Sequence, residues 1–188
     1  MSLKRKDEAD LSGILGESAS LRKVAGRVVI TNRPKKRMVG EPSQGQEAFN
    51  KRFLGATRYA KLQLESEGSK AMYKSGVTPA KRSAYLVAVT DYLVSPEVVA
   101  IDTKGYKGAI GDTIIVKAID DFRVVRVQVT ITGSDGAEIE SGEAKLLPDL
   151  AEDWQYKATV ANTALLGTTI RALAYDKPRN VGELSIVL

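Results

Sequence analysis

Arg126-Val127-Gln128-Val129-Thr130-Ile131-Thr132, followed by Gly133-Ser134-Asp135-Gly136, decides the fold. Apolar β-branched residues at Val127, Val129 and Ile131 alternate with polar ones, the period of a strand with one buried face. The Asp-Gly pair supplies the positive φ that a tight hairpin needs, so the chain is expected to return through Ala137 to Ser141. Upstream, Val124 is out of phase with Val127, and the slip predicts a bulge near Val125-Arg126.

The same alternation recurs outward from this hairpin. Glu97 to Ile101 and Thr113 to Ile119 read as strands, the second stopped by Asp120-Asp121. Beyond Gly142 a short run reaches Leu147, and Trp154 to Val160, Thr168 to Asp176 and Asn180 to Leu188 complete the set. Seven or eight short strands between Pro96 and Leu188 suit an immunoglobulin-like antiparallel β-sandwich. The order Pro96, Gly111-Asp112, Asp120-Asp121, Asp135-Gly136, Trp154-Gln155-Tyr156, Gly167-Thr168 and Ala174-Tyr175-Asp176 resembles the bacterial immunoglobulin-like or fibronectin-III-like modules. That resemblance covers the C-terminal half and implies a fold, not an activity. Such modules often close with Asp-x-x-Gly-Asn. Here Asp176 is followed by Lys177-Pro178-Arg179-Asn180, so a different last turn is expected.

The N-terminal half reads differently. Residues 1–25 are polar and of mixed charge, the composition of a flexible arm, although Leu11, Ile14 and Leu15 have the spacing of a short amphipathic helix. Val28-Val29-Ile30, bounded by Gly26 and Pro34, reads as a lone strand. Ser43 and Gln46 have capping-box spacing, and a helix follows with Phe49, Phe53, Ala56, Ala60 and Leu64 on one stripe expected to be core. After a short helical turn around Ala71-Met72-Tyr73, Thr78-Pro79 predicts the start of a second main helix, Ala80 to Val94. The expectation is therefore an α+β chain: arm 1–25, strand plus helical segment 26–95, and sandwich 96–188.

Composition narrows the chemistry. The chain has no His and no Cys, which removes the commonest general base, the nucleophile triads, thiolate chemistry and sulfur- or imidazole-held metals. No phosphate-cradling Gly-rich motif appears, so no enzyme activity and no cofactor is expected. Calcium at turn aspartates Asp120, Asp121, Asp135 and Asp176 is a minor alternative, because a turn Asp usually bonds its own backbone. No run approaches the roughly 18 apolar residues of a membrane span, and the start Met1-Ser2-Leu3-Lys4 lacks a signal-peptide core, so a cytoplasmic protein is expected.

Charge is laid out unevenly. Residues 1–37 hold ten Lys and Arg against four Asp and Glu, whereas residues 96–188 hold ten against fourteen. A basic front and an acidic back favour head-to-tail homo-oligomers, and the leading expectation is a structural protein that self-assembles through Leu11, Ile14, Leu15, Val28, Val29 and Ile30. One alternative is nucleic-acid binding through Lys4, Arg5, Lys6, Arg33, Lys35, Lys36 and Arg37. Another is carbohydrate or peptide binding on the sandwich, which requires Tyr106, Trp154 and Tyr156 to be exposed. Trp154 is expected instead in the core.

Overall fold

The computed structural model describes residues 13–15, 19–24, 27–32, 42–148 and 152–188. Its contacts form two compact units, Met1–Ser43 and Gln44–Leu188.

In the first unit, β1 (Gly13–Leu15), β2 (Ala19–Val24) and β3 (Arg27–Asn32) form an antiparallel sheet in the order β1-β2-β3. This corrects two expectations. In place of a flexible arm able to turn helical, Ile14 and Leu15 pair with Ser20 and Ala19 in a ladder, and Leu11 lies outside the described residues. A helix this short pays a nucleation cost that a hairpin partner removes, because the neighbouring strand satisfies the backbone at once. Nor is β3 a lone strand, since it pairs with β2 from Ala19↔Asn32 to Val24↔Arg27. The Ser20 and Thr31 hydroxyls add a 2.9 Å cross-strand bond.

The second unit joins helices and strands around two adjoining cores, and its described residues hold three helices rather than two. Helix α1 (Gln44–Glu65) starts where the capping-box spacing places it. Helix α2 (Glu67–Ser75) is longer than the single turn expected. Helix α3 (Ala84–Leu93) begins four residues later than Thr78-Pro79 suggests, because Ser83 is the cap and accepts from Leu86 N at 3.2 Å. Thr78 instead holds Lys81 N in a turn. Ala56, Ala60, Tyr73, Val87, Ala88 and Val89 bury together, and Phe122 from the sandwich packs against them, 5.1 Å from the Tyr73 ring.

The stripe on α1 is only half buried. Ala56 and Ala60 are core, but Phe49 and Phe53 stack on each other in the open, a correction to the expected core stripe. The Arg52 guanidinium donates to Leu93 O at the C-terminal end of α3, a cation on the negative end of that helix. α1 is 22 residues against ten for α3, so among the described residues α3 is too short to cover all of it.

Strands β4 (Glu97–Asp102), β5 (Thr113–Ile119), β6 (Arg126–Thr132), β7 (Glu138–Leu146), β8 (Asp153–Lys157), β9 (Thr169–Tyr175) and β10 (Val181–Val187) make an antiparallel, sandwich-like near-barrel. Their order is β10-β9-β6-β7-β8-β5-β4. Strand β7 turns the corner: it pairs with β6 from Glu138 to Ala144 and with β8 at Lys145 and Leu146. It runs unbroken through Gly142, where two strands were expected, because the Tyr156 ring lies over that glycine. The bulge expected at Val125-Arg126 is absent, since β6 begins at Arg126; its ladder with β7 shifts instead between Ile131 and Thr132.

Inward side chains alternate along every central strand and form one core, including Ile114, Val116, Val127, Val129, Ile131 and Ile170. The last turn departs from the usual pattern in sequence only. Arg179 takes the left-handed conformation (φ 74°) that glycine favours, and Asn180 still bonds both oxygens of Asp176 at 2.6 Å.

The outer strands β4 and β10 lie together. A Cβ on Gly182 would collide with Pro96 O and Pro96 C, both backbone atoms. Gly182→Ala is therefore expected to push β4 off β10 and cost about 3 kcal/mol. Thermal unfolding checks it. Gly136→Ala, whose Cβ meets nothing within 4 Å despite a φ of 81°, is the milder comparison at about 1 kcal/mol.

Candidate functional site

Two features of the described residues stand out from a packed scaffold. The first is β3. Val28, Val29 and Ile30 are 48%, 38% and 67% exposed, three consecutive β-branched side chains on an edge strand. Among the described residues β3 pairs only with β2, so its outer backbone groups have no strand partner. Strands of this kind normally carry charges or proline to block pairing, and β3 has only Arg27 at its start.

The second feature lies where the helices meet the strand ends. Asp91 is on the buried face of α3, Asp120 follows β5 and Asp176 follows β9. One carboxylate oxygen from each lies within 4.8 Å of the other two. Asp91 is fully buried and Asp176 nearly so. The Tyr73 hydroxyl donates to Asp91 Oδ2 at 2.6 Å, and the Tyr59 and Tyr73 hydroxyls are 2.7 Å apart. Asp120 Oδ2 accepts from Arg123 N at 2.9 Å. Asp176 takes both its bonds from Asn180, whose amide also reaches carbonyls at the end of α3.

Burial dominates the electrostatics here. It raises the Asp91 carboxyl to about 7, against the smaller opposing effect of the Tyr73 bond, and the charges of Asp120 and Asp176 add to it. Asp176 is raised for the same first reason. Burial also lifts Tyr59 to about 12, and Tyr73 rises further, by burial first and then because Asp91 holds its proton.

Of the aspartates singled out by sequence, the fold brings Asp120 and Asp176 together and leaves the other two out of the cluster. Asp121 pairs with Lys81 at 2.6 Å, and Asp135 accepts from Ala137 N inside the hairpin turn. Asp91 went unnoticed in the sequence. Its one signal is a lone carboxylate in the apolar run Ala84 to Leu93.

The remaining candidates are readily placed. Tyr106, Trp154 and Tyr156 are all buried, so they form no exposed platform for a sugar or peptide. Trp154 sits in the sandwich core, as expected. Lys4, Arg5, Lys6, Arg33, Lys35, Lys36 and Arg37 lie outside the described residues. Among the described residues no helix is long and apolar enough to cross a membrane.

No protein-family model matches the chain, and neither does any curated protein. Among solved structures, the crystal structure of CopC from Methylosinus trichosporium OB3b aligns with 48% of this chain and 87% of its own at 14% identity, with a TM-score of 0.34.

Proposed function

We propose that this is a non-enzymatic structural protein that joins copies of itself through its N-terminal sheet and carries an immunoglobulin-like module. The observation that carries the reading is the exposed, unblocked edge strand β3 with Val28, Val29 and Ile30. Such an edge is completed by a strand from another chain, whose backbone groups and apolar side chains it matches. The end strands of the near-barrel, β4 and β10, lie against each other, although no ladder joins them. A second copy's β3 is then the partner with the same chemistry. The opposite net charges of residues 1–37 and 96–188 favour head-to-tail contacts in addition.

Strand order supports the immunoglobulin-like part. The sheets β4-β5-β8-β7 and β6-β9-β10 follow the order of immunoglobulin constant-type domains, with β7 also bridging to β6. Trp154 departs from that pattern, since it lies on the fifth strand of the module rather than the third.

Light scattering on the full chain tests assembly. The wild type is expected to grow in mass with concentration, and Val28→Lys with Ile30→Lys to weaken association at least tenfold while the unfolding temperature stays put. A wild-type chain that stays monomeric at high concentration, or a double variant that assembles unchanged, defeats the reading.

A further inference from the structure

Three acidic side chains from three separate elements meet with too few donors to serve them. Asp91 Oδ1 and Asp120 Oδ1 are buried and have no hydrogen-bond partner among the described residues. The donors that are present serve other atoms: Tyr73 takes Asp91 Oδ2, Phe122 N and Arg123 N take Asp120 Oδ2, and Asn180 takes both oxygens of Asp176. Nor do the nearby lysines neutralise the group. Lys81 is held by Asp121, and Lys177 bonds Ser69 Oγ and lies over the Tyr73 ring. A buried carboxylate oxygen with neither donor nor counter-ion is costly, and here two of the three clustered carboxylates each have one.

We propose that Asp91, Asp120 and Asp176 form a binding site for one hard divalent cation, with calcium as the ion to probe it. The donor set is all oxygen, which suits a hard ion, and with no His or Cys in the chain neither imidazole nor thiolate competes for it. Calcium bonds oxygen at about 2.4 Å, so oxygens on opposite sides of one ion stand about 4.8 Å apart. The three carboxylate oxygens lie within that span of one another. Asp120 and Asp176 each also line a surface cleft, of about 460 and 650 Å³ respectively, which gives an ion and its remaining waters a way in. Asp91 belongs to the helices and the other two to strand ends, so a bound ion ties the helical layer to the sandwich. This is independent of assembly through β3.

The test uses the full chain, stripped with chelator and titrated with calcium chloride. Calcium binds only the folded cluster, so at a hundredfold excess over its dissociation constant it should raise the unfolding temperature by several degrees. Terbium should report the same site directly. Tyr73 donates to Asp91 at 2.6 Å, close enough for tyrosine excitation to sensitise terbium emission, which calcium then displaces. Asp120→Asn, at the less buried member, should weaken calcium binding at least tenfold with the fold intact, and Asp176→Asn should do likewise. Asp135→Asn, in an exposed turn, should leave it unchanged. The site is overturned if calcium neither shifts unfolding nor displaces terbium, or if Asp120→Asn and Asp176→Asn both bind like the wild type.

Discussion

Glu140→Ala is expected to lower the stability of the chain by about 5 kcal/mol, and its unfolding temperature by well over 10 °C. Glu140 is a buried carboxylate on β7 whose Oε2 gathers four donors: the Tyr156 hydroxyl at 2.9 Å, the Thr159 hydroxyl at 2.7 Å, Thr159 N at 2.8 Å and Val160 N at 3.2 Å. It therefore pins the end of β8 and the segment after it to the corner strand. Alanine removes the acceptor and leaves two backbone and two hydroxyl donors without one, that of Tyr156 in the buried core. Each such loss costs roughly 1–3 kcal/mol. In the native chain burial first, and then the bond to Glu140, raise the Tyr156 hydroxyl above the usual tyrosine range, so that it stays a donor to the carboxylate. Glu140→Gln keeps one acceptor oxygen and should recover part of the difference. Chemical denaturation of the three proteins measures it, and an alanine variant within 1 kcal/mol of wild type would show that water replaces the carboxylate.

In metal-free buffer, stability is expected to fall as pH rises from about 4 to about 7, by on the order of 4 kcal/mol, and then to level off. The responsible group is Asp91. Its folded value of about 7 lies above the ordinary 3.8, so the folded state binds the proton more tightly than the unfolded chain does. The contribution is complete below about 4 and lost as pH passes through about 7. Tyr59 and Tyr73 face Asp91 from α1 and α2, Asp120, Asp121 and Asp176 from the strand ends, and Lys81 and Lys177 are engaged nearby. The two tyrosines stay protonated throughout this range, so they leave the slope to the carboxyls. Asp91→Asn is expected to remove most of the slope, matching wild type near pH 4 and exceeding it at pH 8. Equal slopes in both proteins would place the titration elsewhere.

The sandwich and the acidic cluster were legible to very different degrees. Strand positions from Glu97 to Val187 could be read because alternation is local: a two-residue period and the residues Asp135-Gly136 act within one hairpin, whatever surrounds them. The position of Gly142 inside β7 could not, since a glycine reads as a break until the ring of Tyr156, far along the chain, is seen to occupy the space of its missing side chain. Phe49 and Phe53 failed for a related reason. Helical spacing gives a stripe, but how much of the stripe is covered depends on the length of α3. The three-stranded N-terminal sheet was hidden because polar, mixed-charge segments show little period, and only pairing with β2 satisfies the backbone of β3.

By itself the sequence determined the α+β class, the strand-rich C-terminal half, the absence of histidine and cysteine chemistry, and the opposed charges of the two ends. These follow from composition and from forces that act over a few residues. Tertiary structure alone decided that Asp91 meets Asp120 and Asp176, that β4 closes against β10 at Gly182, and that Val28 to Ile30 lie on the edge strand of the sheet formed by the described residues. Each depends on residues distant in sequence being brought within a few ångströms, where desolvation and the lack of a partner dominate and local pattern carries no information.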